Sequence, residues 1–240
     1  MSTILPDDLP TMGRETRRGL TPAEKFAQEM NAFAAMCVRI GVMASLLAPI
    51  LIISMLVIDI PVRFFNELFS PLTGLKPTQW LTWGGIVVSL IPLVSILFAR
   101  RYGGEETSRA IIAAWFVLAL FILFELSLLS PIIEEGDFPS TRFMVALVAS
   151  SMTGQLVTVS FYDVLRGGAP WWRAPLYAAL AGFFVTILIY FPLAYWQTGL
   201  SWSLWLIGDM MVKTLFAVGF LPIYFVLRKR IKPRRGFGAV

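Results

Sequence analysis

Two residues of opposite charge, Asp209 and Lys213, stand one helical turn apart inside a long apolar run. At this spacing the carboxylate and the ammonium share a helix face and neutralise one another. A charge inside a membrane span costs about 2.5–3.5 kcal/mol even on permissive scales, so a retained one marks a site by default. Lys213 lies ten residues after Ser203, about 15 Å along a helix, too deep to reach the interface easily. Glu125 is a third such charge. It lies eight residues from Ile133, about 12 Å from the same side, which puts all three at similar depth. Gln155, in the middle of another apolar run, adds a neutral donor and acceptor. Tyr190, Trp196 and Trp205 supply aromatic faces nearby in sequence. This set suits reversible binding of a neutral or cationic planar ring, with faces on Tyr190 or Trp205 and its edge on Gln155 and the carboxylates. A nucleoside phosphate would meet a net acidic layer at low dielectric. The competing reading is structural: a self-neutralising pair, and a glutamine that bonds a neighbouring helix. Covalent chemistry is not expected. The chain has no histidine and one cysteine, Cys37, which removes Ser-His catalysis, histidine metal ligands and an intrachain disulfide. Glu134-Glu135 lack the histidines that a membrane metalloprotease requires, and no metal or cofactor is expected.

The elements that must position these residues are membrane helices. Of 240 residues, 57% are hydrophobic and 15% charged, with a mean hydropathy of +0.74; a soluble domain of this size cannot hide so much apolar surface. The apolar runs predict six spans: Val38–Ile58, Trp80–Ala99, Ala110–Ile133, Phe143–Tyr162, Ala174–Trp196 and Ser203–Leu227. The stretch Ala174–Gly208 carries no charge. It is too long for one crossing of a core about 30 Å thick, and it breaks at Gln197-Thr198-Gly199-Leu200-Ser201. Period-2 alternation, the mark of a barrel, is absent. Thr21-Pro22-Ala23-Glu24 predicts a capped helix start ahead of the first span. Prolines at 49, 92, 131, 192 and 222 predict kinks. Ala44 and Ala48 form a small-xxx-small pair able to seat a neighbouring helix. The expected fold is thus an all-α integral membrane protein, a bundle of six transmembrane helices.

Charge sets the orientation. With the N-terminus inside, the inner segments hold 16 Lys and Arg and the outer segments three, Arg63, Lys76 and Arg142. The positive-inside rule then predicts both termini in the cytoplasm, N-in/C-in. Residues 1–37 read as a cytoplasmic segment with the start of the first helix, 38–228 as the membrane domain, and 229–240 as a basic tail that anchors topology or binds anionic lipid. The first 30 residues are polar and mixed in charge, unlike a cleavable leader. The net charge of +5 follows from these loops, so nucleic acid is not an expected partner. The bilayer and a small-molecule substrate are. A homo-oligomer or a transporter subunit is compatible with the sequence.

Two stretches resemble the vitamin-uptake-transporter-like family, whose characterised members are queuosine precursor transporters. One is the junction Phe98-Ala99-Arg100-Arg101-Tyr102-Gly103-Gly104-Glu105-Glu106-Thr107-Ser108-Arg109-Ala110. The other combines the span with Gln155, the turn Tyr162-Asp163-Val164-Leu165-Arg166, Trp171-Trp172-Arg173, Phe191-Pro192-Leu193-Ala194-Tyr195-Trp196, and a last helix with Lys213 ahead of Leu221-Pro222-Ile223-Tyr224. The resemblance covers roughly residues 80–230. It implies a six-helix carrier similar in architecture to the substrate-binding subunits of energy-coupling-factor transporters, with Gln155 and Lys213 at polar positions of the family. The chain departs from the family where the second span ends on Ile96 and Arg100, and where the fifth reads Gly182-Phe183-Phe184-Val185. The function this implies is an inner-membrane uptake carrier for a small uncharged heterocycle such as a 7-deazaguanine queuosine precursor. Lys213, Asp209, Glu125, Gln155, Tyr190 and Trp205 would line its pocket. The alternative is a non-transporting membrane scaffold or assembly protein.

Overall fold

The computed structural model describes residues 21–64, 77–129, 141–168 and 170–233. Among them the regular structure is helical: α1 Pro22–Leu56, α2 Trp83–Val88, α3 Leu90–Tyr102, α4 Gly104–Leu129, α5 Thr141–Leu165, α6 Arg173–Tyr195 and α7 Trp202–Arg230. A single 3-10 turn, Pro77–Gln79, precedes α2. Taking α2 and α3 as one crossing, six helices are long and apolar enough to span a membrane. The outward faces are lined with large apolar side chains such as Phe116, Leu123, Phe124, Leu188, Leu215 and Val226. In water these would be a liability; against lipid tails they are the appropriate surface. The protein is a multi-pass membrane protein.

The chain divides into two units, Met1–Cys37 and Val38–Val240. In the first, the expected capping box is present. The Glu24 amide donates to Thr21 Oγ1 at 3.3 Å, and the Thr21 amide donates to Glu24 Oε2 at 2.8 Å. The second unit holds the membrane core.

Each helix boundary in that core has a local cause. At its end α1 unwinds, and the following segment pairs with the entry to α2. The Val62 amide donates to Leu81 O at 3.0 Å and the Trp83 amide to Ile60 O at 2.9 Å. Gly84 allows this approach, since a Cβ there would lie 2.6 Å from Ile58 Cα, and Ser54 Oγ donates to Gly84 O at 2.9 Å. The second span, expected as one helix, is broken at Ser89. Pro92 has no N–H for the Val88 carbonyl, while Ser89 Oγ donates to Gly85 O at 2.7 Å. Gly103 alone separates α3 from α4. Its φ of 90° lies in the left-handed region that favours glycine. The third span therefore starts at Gly104, six residues before the expected Ala110; residues 130–133 and Pro131 lie outside the described residues. The break expected between the last two spans is present, with Gln197 at φ 65° and Gly199 at φ 72°.

The central contact is α5 on α6, with α3 packed against both and α7 against α6. Glycine sets the α5–α6 approach. A methyl group at Gly154 would collide with Thr186 and the Gly182 carbonyl, and one at Gly182 with Thr158 and the Gly154 carbonyl. The two helices thus meet through matched small-residue rows, Ser150-Gly154-Thr158 and Ala178-Gly182-Thr186. Such rows let membrane helices approach backbone to backbone and gain dispersion contacts. Around them lies a core that includes Ile91, Ile96, Ala114, Val159, Ala179 and Phe183. Ala44 and Ala48 of α1 are buried in the same cluster.

Candidate functional site

One end of the bundle holds a cavity of about 240 Å³. Its walls come from the segment that follows α1, the entry to α2, and α2, α5, α6 and α7. Exposed Asp59 and Gln79 stand among its lining residues. Asp209 and Lys213 lie deeper, with Nζ 2.6 Å from Oδ2 and side chains only 12% and 11% exposed. Their i, i+4 spacing on α7 produces the contact directly. Aromatic rings form much of the remainder. Phe143 and Tyr190 meet edge to face at 5.8 Å, and Tyr190 and Tyr195 at 6.0 Å. Trp80 lies across Gly208 of α7, where a Cβ would come within 2.6 Å of its ring.

A second, smaller cavity of about 10 Å³ shares Val88, Ser151, Thr186 and Lys213 with the first, and Gln155 is part of its wall. Gln155 is 1% exposed. Its Oε1 accepts from Trp115 Nε1 of α4 at 2.8 Å. An indole N–H can only donate, so the atom facing Trp115 must be the oxygen. Its Nε2 has no hydrogen-bond partner among the described residues, and neither do Ser151 Oγ and Trp80 Nε1. Unpartnered buried donors cost about 1–3 kcal/mol each, so three in the walls of adjoining cavities favour a ligand able to accept.

The opposite end of the bundle is tied together by a hydrogen-bonded network. Tyr162 and Tyr224 hydroxyls lie 2.8 Å apart, and Arg100 reaches Tyr224 at 3.4 Å and the carbonyls of Arg228 and Ile231 at 3.3 and 3.0 Å. A guanidinium on the last carbonyls of α7 is favoured by the helix dipole.

Of the residues expected at a site, Asp209, Lys213 and Tyr190 line the larger cavity, and Gln155 and Lys213 the smaller. Trp205 stands behind this layer, 8% exposed and edge to face with Tyr195 at 5.4 Å. Glu125 is set apart. It is half-buried on α4, which packs on α3 and α5, and is in the wall of neither cavity. Its direction around the helix was not readable from the sequence. Sequence reasoning missed Trp80, Ser151 and Thr186. Thr186 belongs to the small-residue row of α6, and that spacing was the signal available for it; Ser151 stands beside the α5 row, next to Ser150.

Asp209, Lys213, Gln155 and the α5 and α6 walls of the site fall within a stretch that is matched by a known family. A family model described as "Putative vitamin uptake transporter" matches residues 82–227, more than half of the chain. The chain belongs to this family. The family is one of membrane transporters, not enzymes. Two relatives are similar over shorter stretches. The "Probable queuosine precursor transporter" of Haemophilus influenzae is 27% identical over 125 residues, 49% of this chain and 53% of that protein. The "Queuosine precursor transporter" of Escherichia coli (strain K12) is 29% identical over 167 residues, 64% of this chain and 75% of that protein. The chain thus spans about half the length of the first relative and three quarters of the second. No solved structure matches it significantly.

Proposed function

We propose that the protein is an uptake carrier of the bacterial inner membrane for a small uncharged heterocycle of the 7-deazaguanine queuosine-precursor type. The observation that carries this reading is the aromatic-walled cavity with a buried Asp209–Lys213 pair at its base. Family membership supports transport, and the names of both relatives support the substrate class. In this reading Tyr190 offers a ring edge or face, Asp209 accepts N–H groups, and Lys213 and Gln155 donate. The 16-to-3 distribution of Lys and Arg supports a cytoplasmic N- and C-terminus. The cavity then faces outward and the Tyr162–Tyr224–Arg100 network closes the cytoplasmic side. Residues 1–37 and the basic tail 229–240 are then cytoplasmic.

The test is uptake of a labelled 7-deazaguanine in cells lacking their own carrier. Expression of this chain is expected to restore uptake. Unlabelled free base is expected to compete and a nucleoside phosphate is not. Absence of uptake from well-folded protein would leave a scaffold as the better reading. Competition by the nucleoside phosphate alone would contradict the proposed substrate class.

A further inference from the structure

The smaller cavity is too small for a ring. At about 10 Å³ it is near the lower limit for a single water-sized group. Its wall holds two nearly inaccessible polar atoms without hydrogen-bond partners among the described residues, Gln155 Nε2 and Ser151 Oγ, in residues 1% and 4% exposed. Lys213, bonded to Asp209 through one contact, has further N–H groups to give. Asp209 lines only the larger cavity. Pro92 deprives the Val88 carbonyl of its helical donor, and Val88 belongs to the shared wall. The pocket therefore presents a cluster of donors, with the residue Val88 in the shared wall beside them.

We infer that the smaller cavity is a lactam-reading pocket. It takes the exocyclic oxygen of a heterocycle whose ring lies in the larger cavity, and so selects oxo-substituted over amino-substituted rings. The inference rests on the heterocycle-carrier reading. The oxygen accepts from Gln155 Nε2 and Ser151 Oγ, and the ring N–H beside it donates to the Val88 carbonyl. An exocyclic amino group at the same place sets N–H against N–H at Gln155. Trp115 makes the choice firm: by occupying Gln155 Oε1 it prevents the amide from flipping to present an acceptor.

The experiment measures binding of two neutral 7-deazapurines, one 6-oxo and one 6-amino, to the full-length protein in lipid nanodiscs. The oxo ring is expected to bind about tenfold or more tightly than the amino ring. Ser151→Ala and Gln155→Met are each expected to weaken the oxo ring, and Gln155→Met, which removes the amide that opposes an amino group, is expected to narrow the oxo preference. Ser151→Ala is nearly isosteric, so the test survives if Gln155→Met fails to fold. Equal affinity for the two rings in the wild type, as expected of a pocket that holds only structural water, overturns the inference and leaves the carrier reading standing. An oxo-ring affinity unaltered in Ser151→Ala also overturns it. Binding of neither ring overturns both.

Discussion

Lys213→Met removes the partner from a carboxylate that is only 12% exposed. Breaking a buried pair from one side costs about 3–5 kcal/mol, whereas replacing both members with apolar groups is often neutral. Lys213→Met is therefore expected to abolish uptake and lower the melting temperature in detergent. Asp209→Leu with Lys213→Met should recover the melting temperature without recovering uptake. A double variant that transports normally would show that the pair only stitches the bundle. The pairing was legible from spacing alone, because i, i+4 on one helix needs no tertiary information. The Trp115–Gln155 bond was not. It joins α4 to α5, and neither residue's sequence neighbourhood reveals how the two helices are rotated. Glu125 illustrates the same limit.

At the scale of elements, the α5–α6 contact holds Thr186 and Ser151 in the cavity walls. Gly154→Leu forces a branched side chain into the place now filled by Thr186 and the Gly182 carbonyl. Overpacking of this kind costs about 1–3 kcal/mol, occasionally more. The variant is expected to show a lower melting temperature and weaker ligand binding together. Gly41→Ala serves as the control, since a Cβ there meets no atom within 4 Å; equal melting temperatures for both variants would refute the close-contact account. The number of spans was readable because apolar run length is set by bilayer thickness. The fine structure of the second span was less so. Pro92 announced a kink, but the break at Ser89 also depends on its hydroxyl turning back to Gly85. The early start of α4 was hidden because Glu105, Glu106 and Arg109 look like loop residues. They form instead a polar first turn, with Glu106 paired to Arg39 of α1 at 2.5 Å.

For the whole molecule, the expected orientation depends on charge counting and can be checked independently of function. With Cys37 replaced by serine, a cysteine at the exposed Ser201 should react with an impermeant thiol reagent added outside intact cells. A cysteine at Gly167, where a Cβ meets no atom within 4 Å, should react only after the membrane is opened. The reverse pattern would invert the topology and place the cavity on the cytoplasmic side. Orientation and binding meet at Thr186, which lines both cavities. The most direct test of the account is the rate at which Thr186→Cys, in the Cys37→Ser background, is alkylated from outside by an impermeant reagent, with and without a 7-deazaguanine base. The account predicts reaction from outside and marked slowing by the base. A rate that the base leaves unchanged, at concentrations that saturate uptake, would contradict it.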